Sequence, residues 1–177
     1  MELGAQSFLY FGYGSNLLTE RIHINNPSAK FVSIASLDNY KLTFGYKSKR
    51  WGGAAATIVP AIGFKVWGVL WALSMEHLAS LDKQEGVPKI YERIKVSVVS
   101  PELQRYNAWS YNLVTGLDAD PIPSAVYQKV ILKGAMEHGL PEEYLKFLCE
   151  IKNNGFEGND ESPMKLASLV ETGDEKC

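Results

Sequence analysis

Phe8-Leu9-Tyr10-Phe11 is an unbroken apolar and aromatic run, and it ends abruptly in Gly12-Tyr13-Gly14-Ser15-Asn16. A run of that length, bounded by turn residues, reads as a buried strand. Leu17, Leu18, Ile22 and Ile24 then recur on one side of a helix, Glu20 lies in its first turns and Pro27 stands just past its end. Ser15 or Asn16 is the expected helix cap. A core strand, a tight polar loop and a helix N-terminus therefore follow one another directly. Unpaired backbone N–H groups and the positive end of a helix dipole gather at such a loop, a setting for a carboxylate, a phosphate or a developing oxyanion. The loop by itself names no ligand, and it also reads as an ordinary strand-to-helix turn. Leu17 stands where a dinucleotide fingerprint needs its third glycine, and no Gly-Lys-Ser/Thr follows. Tyr13 and Leu17 occupy both glycine positions of a nucleophile elbow.

At 177 residues the chain is long enough for one domain with a real core, and 46% hydrophobic with 21% charged residues is the balance of a soluble globular protein. A net charge of -2 points neither to nucleic acid nor to an anionic membrane. No apolar run is long enough to span a bilayer. The N-terminus lacks a basic region followed by a signal-peptide core and cleavage site, so a cytoplasmic location is expected. Cys149, on a predicted helix, and Cys177 show no metal-ligand or redox spacing and are expected to be free thiols.

Strands are expected over 29–37 and 40–46, separated by a turn at Asp38-Asn39. A short strand over 54–59 is stopped by Pro60, and a stronger, central one runs over 65–73. Residues 90–99 and 105–114 form an antiparallel pair turned at Ser100-Pro101-Glu102. The segment Lys47-Ser48-Lys49-Arg50-Trp51-Gly52-Gly53 is basic and aromatic. Too few charges stand there to make a basic face, so it reads as a solvated loop that can still overhang a site for an acidic ligand. Helices are expected from a Ser74 cap to Gly86, from a Ser124 cap to His138 with Gly139 closing it, and from Pro141 onward with Tyr144, Phe147, Leu148 and Ile151 inward. Past Gly158 the chain becomes a polar tail with a short helix over 164–170, which gives one domain over 1–158 and a peripheral segment over 159–177.

Glu85 falls in or just after the last turn of the helix that ends at Gly86. The negative end of the helix dipole and Asp82, three residues earlier, both disfavour an ionised carboxylate there, so its pKa is expected to be raised. A carboxyl tuned in that way gives and takes protons near neutrality. The plain alternative is a glutamate exposed at a helix end. His23, His77 and His138 lie on separate helices without Cys or carboxylate neighbours at metal spacing, and read as surface residues. No Ser-His-Asp or Cys-His set is visible.

Two stretches taken together resemble the gamma-glutamylcyclotransferase family. Tyr13-Gly14-Ser15-Asn16, followed by Leu17-Leu18-Thr19-Glu20-Arg21-Ile22, is similar to its signature loop. Leu81-Asp82-Lys83-Gln84-Glu85-Gly86-Val87, followed by Tyr91, is similar to the segment that holds its catalytic glutamate. Trp67-Gly68-Val69, Pro123-Ser124 with Tyr127, and Gly139-Leu140-Pro141 with Tyr144 fall in matching order, so the resemblance runs from about residue 7 to residue 149.

The resemblance implies an α+β fold, a small closed mixed β-barrel with surrounding helices, and a reaction that needs no metal and no organic cofactor. It implies conversion of gamma-glutamyl amino acids to 5-oxoproline and a free amino acid. Tyr13, Gly14, Ser15 and Asn16 would cradle the gamma-glutamyl group, and Glu85 would be the general acid/base. Tyr91 and Tyr127 would line the pocket and hold Glu85 or the substrate, with Tyr111 a weaker candidate. The partner is then a small gamma-glutamyl molecule, with neither nucleic acid nor membrane, and homodimers occur in the family. Related branches act on glutathione or on gamma-glutamyl-lysine. Ser15-Asn16 and the Gln84-Glu85-Gly86 context favour the gamma-glutamyl amino acid branch. Two rivals stand beside the enzyme: a binding module of the same fold that has lost turnover, and an interaction domain using residues 47–51. The presence of Glu85 in its expected context favours the enzyme.

Overall fold

Five strands close into a barrel: β1 (Ser7–Gly12), β2 (Lys30–Ser48), β3 (Gly53–Ser74), β4 (Tyr91–Val99) and β5 (Arg105–Leu113). The structure is a computed structural model that describes residues 6–117 and 121–158. Around the barrel go a 3-10 turn (Ser15–Leu17), α1 (Thr19–His23), a second 3-10 turn (Met75–His77), α2 (Leu78–Glu85), α3 (Ala125–Glu137) and α4 (Glu142–Glu150). The strand order is β1-β3-β2-β4-β5, antiparallel throughout except where β5 returns beside β1 in parallel. This is the expected mixed barrel. Phe11, Ile58, Leu70, Trp71 and Tyr111 from the strands, with Leu17 and Ile22 from the segment after β1, are among the fully enclosed side chains of the core.

The two seams of the barrel differ from its ladders. β1 and β5 meet through Tyr10↔Trp109, and β2 and β4 through Ser36↔Val99. Side chains tie β5 to β1, to the loop after it and to β3. The Ser110 hydroxyl donates to the Phe11 carbonyl at 2.9 Å, the Leu113 N–H donates to the Thr57 hydroxyl at 3.0 Å, and the Tyr13 hydroxyl donates to the Tyr111 carbonyl. Buried backbone groups near a closing seam are thereby satisfied.

Four expected breaks are absent or lie elsewhere. The two strands expected over 29–37 and 40–46 are one, β2 from Lys30, because Asn39 takes a left-handed conformation (φ 60°) instead of turning the chain. Its side-chain oxygen accepts from the Gly63 N–H at 3.1 Å. Pro60 does not stop β3: it pairs with Tyr40, the register resumes at Asp38↔Lys65, and residues 61–64 swing outward between them. A proline without an N–H is tolerated where the ladder is already interrupted by a bulge. Neither Ser15 nor Asn16 caps a helix; a 3-10 turn stands where the helix was expected to begin, and α1 is only five residues long. Ser74 likewise makes no side-chain cap and leads into a 3-10 turn.

Other local expectations match. Gly86 adopts φ 72°, and the N–H groups of Gly86 and Val87 close α2 on the carbonyls of Lys83 and Asp82. The Ser124 hydroxyl accepts from the Tyr127 N–H at 3.2 Å and starts α3. α3 lies hard against the turn after β1: a Cβ on Gly134 would fall 2.4 Å from the Leu18 backbone nitrogen. On α4, Tyr144 and Leu148 are buried, but Phe147 is partly exposed. Cys149 does not carry the expected free thiol. It is disulfide-bonded, and spacing along a chain does not announce which thiols meet in space. His138 is no simple surface residue, since it stacks on Phe31 at 4.9 Å and stands edge-on to Trp71. The expected tail over 159–177, its helix over 164–170 and Cys177 lie outside the described residues.

Candidate active site

Asn16 explains why the loop after β1 lacks its cap. The Trp71 indole N–H donates to the Asn16 carbonyl at 2.9 Å, which fixes the backbone, and the side-chain amide is committed elsewhere. Its Nδ2 donates to the Tyr10 hydroxyl at 3.0 Å and to Glu85 Oε1 at 3.3 Å. Its Oδ1 accepts from Gln84 Nε2 at 3.1 Å. The amide that a helix would have used as a cap instead holds the end of α2.

Glu85 faces a pocket of about 300 Å³ that is also lined by Ser15, Arg21, Arg50, Trp51, Tyr91 and Tyr127. Burial pushes the Glu85 carboxyl up to about 7, against the opposing pull of Arg21, Arg50 and the Asn16 hydrogen bond. Asp82 adds only a smaller upward push. The sequence predicts the direction, but the main cause is enclosure by residues distant in the chain. Asp82 itself is occupied: Arg93 Nη1 lies 3.1 Å from one oxygen, and the Tyr111 hydroxyl donates to the other at 2.6 Å.

The tyrosines are arranged differently from expectation. Tyr91 and Tyr127 line the pocket, but their hydroxyls grip the backbone on either side of one residue: Tyr91 donates to the Ala56 carbonyl at 2.6 Å, and Tyr127 accepts from the Ala56 N–H at 3.1 Å. Neither hydroxyl is bonded to Glu85. Among the described residues the Tyr127 hydroxyl donates to no acceptor, so its proton is available to a ligand. The Tyr13 side chain points away, buried against β5. Gly14 brings the loop close to Tyr127, whose hydroxyl oxygen would lie 3.2 Å from a Cβ placed there. Burial raises the pKa of Tyr10, Tyr13, Tyr91 and Tyr127, so all four stay protonated. In the 3-10 turn the N–H groups of Leu17 and Leu18 bond to the carbonyls of Gly14 and Ser15. The N–H groups of Ser15 and Asn16 open that turn and have no carbonyl within it to bind.

The loop over 47–53 is not merely solvated. Trp51 is buried with its ring 4.6 Å from that of Tyr127, and the turn forms one wall of the pocket. Among the described residues no cluster of three His, Cys, Asp or Glu could hold a metal ion, and no helix is long and apolar enough to cross a membrane.

Residues 65–148 match the AIG2-like family. The chain is 45% identical over 176 residues to the gamma-glutamylcyclotransferase of Bos taurus, covering 97% of this chain and 92% of that one. It is 47% identical over 158 residues to the gamma-glutamylcyclotransferase of Homo sapiens, covering 86% and 83%. A solved structure titled gamma-glutamyl cyclotransferase superposes with a TM-score of 0.88 at 43% identity, covering 95% of this chain and 100% of its own. The chain belongs to the gamma-glutamylcyclotransferase family.

Seen as a gamma-glutamylcyclotransferase-family barrel, the site has members that sequence reasoning missed. Arg21 is 5% exposed, and its guanidinium carbon lies 5.8 Å above the Trp51 ring. Its signal is legible afterwards: in Leu17-Leu18-Thr19-Glu20-Arg21-Ile22 a charge sits on the apolar stripe of the helix. Tyr10 reads only as a core residue of β1, yet it shares Asn16 with Glu85. Arg50 and Trp51 lie in the basic, aromatic segment that reads in sequence as a solvated loop able to overhang a site; they reach the pocket because β2 and β3 fold back on each other.

Proposed function

We propose that this chain converts gamma-glutamyl amino acids to 5-oxoproline and a free amino acid, with Glu85 as general acid/base. The observation that carries this reading is the Glu85 carboxyl, poised at about 7 and aimed by Asn16 into the pocket. The nucleophile is the substrate's own α-amine and the electrophile its own γ-carbonyl, so no protein nucleophile is needed. Folding the tethered chain into a five-membered ring is the main task of the site. Ionised Glu85 takes the proton of the attacking amine as the new N–C bond forms. It then returns that proton to the departing nitrogen as the old C–N bond breaks. Atoms balance without water, a lyase-type elimination of the amino acid. Free N–H groups of the Ser15–Leu17 turn are suited to a carboxylate or to the tetrahedral oxyanion. Tyr127 can add its hydroxyl proton beside Gly14. Tyr13 and Tyr91 act through the backbone they hold. The chemistry is assigned to a domain over 1–158 in a cytoplasmic setting, with 159–177 as a peripheral segment, and a homodimer is a property to look for by light scattering.

The test is mass-spectrometric detection of 5-oxoproline from gamma-glutamyl-alanine, with glutathione and gamma-glutamyl-lysine in parallel and Glu85→Gln as the control. Product from the dipeptide that is lost in the variant supports both the reaction and the acid/base residue. Binding of all three without product would leave a ligand-binding module.

A further inference from the structure

Arg21 is a buried cation with little to hold it. Among the described residues no hydrogen bond and no ion pair within 4.0 Å engages its guanidinium. What faces it is the Trp51 ring, the partly proton-bearing Glu85 and a second cation, Arg50. Burying a guanidinium this way is unfavourable unless an anion completes the site. Five N–H donors in a planar fork match a carboxylate in particular.

Arg50 is different in kind. It is exposed, and it likewise has no hydrogen bond or ion pair among the described residues. Yet it is not on a loose loop. The Gly52 N–H donates to the Ser48 carbonyl at 3.0 Å, the Trp51 N–H to the Ser48 hydroxyl at 3.3 Å, and Asn154 Nδ2 to the Gly52 carbonyl at 2.8 Å. Trp51, next in the chain, is the buried anchor of that turn. The pocket therefore has one guanidinium in its floor and one at its mouth, in a chain whose net charge is -2. A cleft lined by two cations focuses their field and draws in an anionic ligand.

A gamma-glutamyl α-amino acid has two carboxylates, one on the glutamyl half and one on the amino acid that leaves. We propose that Arg21 holds the first and Arg50 the second, so that this pocket selects gamma-glutamyl compounds whose leaving amino acid has a free carboxylate. The assignment rests on the cyclisation reading and deepens it. It disfavours glutathione, whose central residue has its carboxyl tied in a peptide bond, and it disfavours amide-capped dipeptides.

The experiment compares gamma-glutamyl-alanine with gamma-glutamyl-alaninamide, by calorimetric binding to Glu85→Gln and by kcat/KM on the protein with Glu85 intact. We expect the acid to bind about tenfold tighter than the amide, as a charge-assisted contact gives. Adding Arg50→Gln brings that ratio close to one, while Lys47→Ala, on the neighbouring strand end, keeps it. Arg21→Gln weakens both compounds alike, by about a hundredfold, and leaves their ratio intact. A ratio near one before any change at Arg50, or one that survives Arg50→Gln, overturns the proposal. If Arg21→Gln does not fold by circular dichroism, the Arg50 comparison decides, since Arg50 is exposed. Discrimination between acid and amide without 5-oxoproline would sink the cyclisation and leave the two-arginine site standing. Product formed without discrimination would do the reverse, and neither binding nor product would sink both.

Discussion

Asp82 and Glu85 stand one turn apart on the same short helix, and their surroundings give them different work. Asp82 is saturated: Arg93 takes one oxygen and the Tyr111 hydroxyl the other, which fastens α2 to β4 and β5. Glu85 receives one 3.3 Å bond from Asn16, feels Arg21 and Arg50 without pairing to either, and is crowded enough to reach about 7. An acid with matched partners is a fastener, whereas an acid enclosed with incomplete partners is a proton carrier. Sequence position on the helix does not separate the two. What separates them is which distant elements close over each.

The sharpest way to break the contrast is Glu85→Gln, which keeps shape and removes proton transfer. We expect kcat to fall by about a thousandfold, with dipeptide affinity within a few-fold of the parent by calorimetry. A variant that turns over normally would make Glu85 a second Asp82. Next in size is Asn16→Ala. Losing the donor that favours the ionised carboxylate should lower kcat by about ten- to a hundredfold. It should also move the ascending limb of the pH–rate profile above its expected midpoint of about 7. An unmoved limb would show that Asn16 serves only the backbone.

Stability should carry the same asymmetry. Glu85 holds its proton more tightly in the folded chain, at about 7, than at its ordinary 4.5. Its penalty is therefore absent below pH 4.5, grows as pH rises towards 7, and is complete above that. Denaturant titrations should find Glu85→Gln more stable than the parent at pH 8, by at most about 3 kcal/mol, with little difference at pH 4. A pH-independent difference would mean that the carboxyl is well solvated. The smallest effect is expected at the fastener. Asp82→Asn should cost about 1 kcal/mol in the same titration and change kcat by no more than a few-fold. A loss of activity as large as that of Asn16→Ala would erase the distinction between the two acids.

What was legible in the chain was local. Phe8 to Phe11, the loop to Asn16, the Ser124 cap and the Gly86 terminus follow from neighbouring residues, and each stands where those residues put it. Asn39 and Pro60 misled because turn and breaker residues also serve a bulge inside one long strand. At Glu85 the direction of the shift was readable and its cause was not. Its enclosure comes from the loop after β1 and from the β2–β3 turn, and no window along α2 contains either. Arg21 was the one distant contributor with a local sign, a charge on an apolar stripe. The family resemblance located the glutamate, but that both arginines meet it in one pocket emerges only in three dimensions.

The two seams of the barrel have a further consequence. With one bridging residue pair at each, the five strands amount to a three-stranded blanket, β1-β3-β2, and a two-stranded ribbon, β4-β5, buttoned across its open sides. Asn16, Arg21, Arg50, Glu85 and Tyr127 all come from the blanket, its connecting turns or the helices outside the ribbon. Only Tyr91, at the first position of the ribbon, crosses over. The proton carrier and its cations therefore take their places from the blanket side, and the ribbon is held to them by side chains more than by its ladder. Asp82 is one of those studs.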